Sequence, residues 1–134
     1  MSSKIQFIKD MEAAAFSGNW EKFKTFFTND MYYFVGNKTE LHSLQEIVDY
    51  LIQFRGKELE IYNLEFLLAY EEENTVVTEL SVKAVRLADK KHIVFPTVDI
   101  YRFKDGRIHD WRVYAIEPTH VGDKSVLTGV PKSA

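Results

Sequence analysis

The apolar positions of this chain keep two different periods. Up to about residue 56 they recur every three or four residues, and from about residue 58 onward every second residue. In "SKIQFIKDMEAAAFSG", Ile5, Ile8, Met11 and Ala15 fall on one helical stripe with Phe7 and Ala14 beside it; Ser3 stands where a cap belongs and Gly18 ends the run. "NWEKFKTFF" predicts a second helix, capped by Asn19, with Trp20, Phe23, Phe26 and Phe27 on one side. "MYYFVG" reads as a short strand ending at Gly36. "SLQEIVDYLIQF" opens with Ser43 and Glu46 at capping-box spacing, carries Leu44, Ile47, Val48, Leu51 and Phe54 as its stripe, and stops at Gly56.

The second half reads as a meander. Strands are predicted over 58–70, 75–87, 92–103 and 107–116, joined by "EEEN", by "ADKK" and by the hairpin signal Asp105-Gly106. Leu80, Val82 and Ala84 alternate with Glu79, Ser81 and Lys83, so one face is apolar and the other polar. Three helices with a short strand among them, then four long strands, predict an α+β fold: helices packed on one face of a curved, mostly antiparallel sheet that encloses a cone-shaped pocket. One domain spans residues 1–134, with its core at about 4–117 and an aperiodic tail over 118–134 that includes His120.

Composition narrows the chemistry. Apolar residues make up 46% of the chain and aromatic ones 14%, enough for a ring-lined interior. A formal charge of −3 and a pI near 5.8 argue against nucleic acid or an anionic membrane as the partner. There is no cysteine, hence no disulfide, thiol nucleophile or thiolate metal site. No apolar run approaches the roughly 20 residues that span a bilayer, and the charged N-terminal segment does not read as a signal peptide, so a cytoplasmic protein is expected. The four histidines are scattered without ligand spacing and no glycine-rich phosphate loop occurs, so neither metal nor cofactor is expected.

"SGNWEKFKTFF" and "DIYRFKDGRIHDWRVY", set in this order of elements, resemble the SnoaL-like and ketosteroid-isomerase-like proteins of the nuclear transport factor two (NTF2-like) superfamily. The resemblance covers about residues 4–117. It implies the cone-shaped fold and, in many members, pairing of two copies through the outer sheet face. It also gives Asp99, followed by Arg102, Phe103 and Gly106, the place of an acid that faces the pocket and is kept protonated by its apolar surroundings. Other family groups are replaced. Val35 stands where the isomerases carry a general base and Met11 where they carry a tyrosine; Leu80, Val82 and Val113 stand where the limonene epoxide hydrolases carry charge.

With Asp99 inward, period two turns Phe95, Thr97, Tyr101 and Phe103 inward as well. A bulge in the turn at 104–106 would set Tyr101 opposite His109 and Asp99 opposite Trp111, bringing His109, Trp111 and Val113 onto the pocket face; a slip of one residue would turn His109 outward. Asp99 and His109 are therefore the candidate catalytic pair. Tyr33 (or Tyr32), His42, Thr78, Thr97, Tyr101 and Trp111 are candidates for substrate contact. The expected activity is a cofactor-independent isomerase, cyclase, dehydratase or hydrolase acting on a small, mostly apolar cyclic metabolite. The alternative is a ligand-binding or dimerisation module in which Asp99 is a bonded core carboxylate. Val98, Ile100, Tyr114, Val77 and Val85 point the other way, and this outer face predicts a two-fold homodimer.

Overall fold

The computed structural model describes residues 3–36 and 39–115. Helix α1 (Lys4–Phe16) is followed by the short α2 (Trp20–Lys24), strands β1 (Phe27–Val35) and β2 (Thr39–Leu41), and helix α3 (Leu44–Gln53), which runs into a π-helical turn over Phe54–Glu58. Four long strands follow: β3 (Leu59–Glu72), β4 (Thr75–Arg86), β5 (Lys91–Lys104) and β6 (Arg107–Ala115). The expected tail, with His120, lies outside the described residues. Among the described residues no helix is long and apolar enough to cross a membrane.

The three caps form as their side chains dictate. Ser3, Asn19 and Ser43 accept hydrogen bonds from the backbone N–H of Gln6, Lys22 and Glu46, three residues on. Three local readings change. Phe26 and Phe27 do not extend α2, because β1 starts at Phe27 and runs four residues ahead of the expected strand. These rings are held by a non-local partner: Phe27 pairs with Ile108, and the Phe26 carbonyl accepts from the Ile108 N–H. Strand β2, unforeseen, pairs with β1 as Tyr33↔Leu41 and Val35↔Thr39. Gly56 does not stop α3 but lies inside the π-helical turn.

The six strands form one open, curved sheet in the order β2-β1-β6-β5-β4-β3. Every pairing is antiparallel except β1 with β6, the second and third strands of the sheet, which run parallel. The β5–β6 turn has Asp105 at φ 53° and Gly106 at φ 79°, the two left-handed residues of a tight two-residue hairpin. The bulge lies two residues further along. Phe103 pairs with Ile108 and Arg102 with Asp110, which leaves His109 as the extra residue of β6. Tyr101 consequently faces Trp111 and Asp99 faces Val113.

Inward residues of the sheet divide between two apolar clusters. One joins Ile8, Met11, Phe23, Ile47 and Leu51 of the helices to Phe27, Tyr33, Tyr101, Ile108 and Trp111. The other gathers Leu59, Leu80, Val82, Ala84, Ile93 and Phe95 at the far end of β4 and β5.

Candidate active site

A cavity of about 340 Å³ opens between α3 and the inner face of the sheet. That is the size of a small-ligand site. Leu51, Phe54, Leu64, Leu80, Val82, Phe95 and Val113 make most of its wall apolar. The polar side chains on the wall are Asp99, Thr97, Thr39, Tyr33, Tyr50, Trp111, Glu12 and Arg55.

Asp99 is buried, and its two oxygens have different surroundings. Oδ2 accepts from Trp111 Nε1 at 3.0 Å and from the Tyr101 hydroxyl at 3.2 Å. Both donors come from the neighbouring positions that the Tyr101↔Trp111 pairing sets side by side. Oδ1 has no hydrogen-bond partner, nor do the buried hydroxyls of Thr97 and of Thr78, the residue that pairs with Asp99 across β4. Burial, and then the Glu12 carboxylate, push the Asp99 carboxyl up to about 6; the Trp111 and Tyr101 donors pull the other way, joined by Thr97, whose hydroxyl lies close by but outside bonding geometry. A carboxyl so held exchanges its proton near neutral pH. Burial also pushes the phenols of Tyr33 and Tyr101 well above the usual tyrosine range, so both remain donors.

A buried ion pair completes the wall, and the sequence reading missed it. Glu12 projects from α1 with 4% of its surface exposed and takes Arg55 Nη2 at 3.1 Å. Burial works against the Arg55 charge, but Glu12, with Tyr33 and Tyr101, more than offsets it and keeps the guanidinium protonated. Arg55 Nη1 is buried without a partner. The signal in the sequence was Glu12 itself: four residues after Ile8 and three before Ala15, it interrupts the apolar stripe of the first helix. Nothing comparable marks Arg55, whose inward direction comes from the π-helical turn after α3.

Of the candidates from sequence, Tyr33, Thr97, Asp99 and Trp111 share the cavity wall. Tyr101 is fully buried behind it and reaches the site through Asp99. Thr78 is buried next to Asp99 but is not part of the wall. His109 corrects the expectation: as the bulge residue it leaves the inward series, stays partly exposed, and meets Thr28 Oγ1 through Nδ1 at 3.1 Å with Asp30 at 3.8 Å. His42 is also off the wall, exposed against the ring of Tyr32, whose hydroxyl donates to Glu40 on the sheet's outer side. Among the described residues no group of three or more His, Asp and Glu side chains is placed to share a metal ion.

Residues 8–111 match the SnoaL-like domain, and the chain belongs to that family. No curated protein matches it in sequence. Solved structures resemble it across nearly the whole fold. An NTF2-like protein of unknown function from Burkholderia pseudomallei is 13% identical, with a TM-score of 0.77 over 87% of this chain and 92% of that one. A protein provisionally named a polyketide cyclase, from Xanthomonas campestris, is 15% identical, with a TM-score of 0.74 over 82% and 87%. An LEH-like epoxide hydrolase from M. tuberculosis is 15% identical, with a TM-score of 0.70 over 84% and 81%. At these identities the likeness establishes the fold, which hosts several chemistries.

Proposed function

We propose that this chain is a cofactor-independent enzyme that isomerises, cyclises, dehydrates or hydrates a small, mostly apolar cyclic metabolite, with Asp99 as its acid–base group. The observation that carries the reading is the asymmetry of Asp99. One oxygen is held by Trp111 and Tyr101, the other is unpartnered, and the carboxyl titrates near 6 on the wall of an apolar cavity. Bonds to Oδ2 orient the carboxyl and leave Oδ1 to carry the proton, and low hydration makes transfer to or from a bound substrate sensitive to geometry. Thr97 and Tyr33 are the neighbouring hydroxyls on the wall that accompany it. His109 stands off the cavity wall against Thr28, so this reading gives it no role.

A second reading, a ligand-binding module, draws on a specific pair of residues. Val35, on the wall, and Met11, in the core, offer no proton where related isomerases act. The two readings separate on Asp99→Asn. Screening cyclic ketones, phenols and epoxides by ligand-observed NMR identifies occupants, and turnover of those that bind is then followed in both proteins. The enzyme reading expects Asp99→Asn to bind them and to lose about 10²–10⁴ in rate. Turnover retained within a few-fold would remove Asp99 from the chemistry.

The same reading includes a homodimer through the outer sheet face. Its support is a cross-strand row in which Leu68, Val98 and Tyr114 are exposed apolar side chains, with Glu79 of β4 between Leu68 and Val98 and with Ile100 and Val77 half-buried beside them. Val85, the remaining residue of the expected patch, lies half-buried further along β4.

A further inference from the structure

The ion pair on the cavity wall has one end unused. Glu12 engages only Nη2 of Arg55, through Oε1 at 3.1 Å and Oε2 at 3.5 Å, so Nη1 is left buried, charged and unbonded. A buried charged donor without an acceptor is unfavourable, and an occupant of the cavity that reaches it as an acceptor recovers the loss. Arg55 and Asp99 belong to the same wall, so an acceptor held at Arg55 lies in the space that Asp99 also faces.

The charges around this space decide which acceptor it takes. The ionisable groups on the wall are Glu12, Arg55, Asp99 and the phenols of Tyr33 and Tyr50. Glu12 cancels Arg55, burial keeps the Tyr33 phenol neutral, and Asp99 adds nothing or one negative charge. An anionic ligand therefore meets no net attraction, and it loses its hydration on entering an apolar cavity. A carbonyl or other uncharged oxygen meets a charged donor and has less hydration to lose.

We infer that Arg55 is the oxygen-binding residue of this cavity, and that Glu12, by neutralising it, selects a neutral acceptor such as a ketone over a carboxylate. The inference rests on the reading of the cavity as a ligand site and adds the group by which a ligand is held. Glu12 is a positioning residue here, since it holds Arg55 and sets its preference.

The test is isothermal titration of the full chain at pH 5, where Asp99 is protonated and leaves Glu12 as the counter-charge of Arg55, with two probes of one skeleton, 2-acetonaphthone and 2-naphthoate. The native chain is expected to bind the ketone at least tenfold more tightly. Glu12→Gln leaves the Arg55 charge uncancelled and is expected to tighten 2-naphthoate by tenfold or more while the ketone changes little; a purely structural ion pair would not produce this reversal. Removing Arg55 alone strands the Glu12 charge, so the double variant Glu12→Gln/Arg55→Gln, with a neutral pair in its place, keeps the question answerable. Its ketone affinity is expected to fall about tenfold. Ketone affinity unchanged in the double variant, or a native preference for the carboxylate, would overturn the assignment of Arg55 and leave the cavity as a ligand site. Failure of the native chain to bind either probe would overturn the ligand site itself and this inference with it.

Discussion

Asp99 shows how much of a residue's chemistry comes from its neighbours. An aspartate in water titrates near 3.8, and in this fold burial and Glu12 raise it to about 6. Its effect on stability has a definite sign. The folded state binds this proton more tightly than the unfolded one, so the contribution is fully present below about pH 4 and is lost as pH rises through 6. The shift corresponds to about 3 kcal/mol, at about 1.4 kcal/mol per unit. Asp99→Asn removes that dependence. Urea unfolding should find the variant more stable than the native chain at pH 8, by up to about 3 kcal/mol, with the advantage vanishing near pH 4. Equal pH dependence in the two proteins would mean that Asp99 is not the shifted group. The rate should carry the same signature, with log kcat/KM for any substrate breaking near pH 6.

Among the elements, the β5–β6 hairpin decides which side chains reach the site. Its turn residues adopt left-handed backbone at Asp105 and Gly106, a conformation that costs most residues about 1–2 kcal/mol. A Cβ at Gly106 meets no neighbouring atom, so the cost of Gly106→Ala is conformational and should appear in urea unfolding as a loss of about 1–2 kcal/mol. The bulge that follows returns Trp111 and Val113 to the inner face and turns His109 out to Thr28 and Asp30. His109→Ala should therefore leave ligand affinity and turnover within about twofold of the native chain, and a tenfold loss of either would place the imidazole back in the mechanism.

For the whole molecule, the proposed homodimer would cover the outer face of the open sheet. Leu68, Glu79, Val98 and Tyr114 lie in one row across β3 to β6, and Tyr70, Val77, Ile100 and Arg112 form the row beside it, so each row carries three apolar side chains and one charge. Among these, Leu68 is 54% exposed, Tyr70 55% and Tyr114 44%, which is unusual for large apolar side chains sharing one face of a monomer. Light scattering at micromolar concentration should give the mass of two copies. Val98→Lys combined with Tyr114→Glu should give one copy with native circular dichroism, because both side chains already face outward and no core contact is lost. A monomeric native chain would remove the dimer.

What depends on near neighbours along the chain was legible in the sequence: the helix caps at Ser3, Asn19 and Ser43, the four long strands and their turns, and the shared face of Phe95, Thr97 and Asp99, whose inward sense came from the family resemblance. Periodicity and capping are local, and each is readable within one or two turns of chain. Only the tertiary structure decided the parallel pairing of β1 with β6, the extension of β1 back to Phe27, the outward turn of His109 and the meeting of Glu12 with Arg55. Each of these joins segments 43 to 81 residues apart, or turns on one extra residue in a ladder. Their outcome is set by packing and charge pairing across the fold, to which a window of sequence has no access.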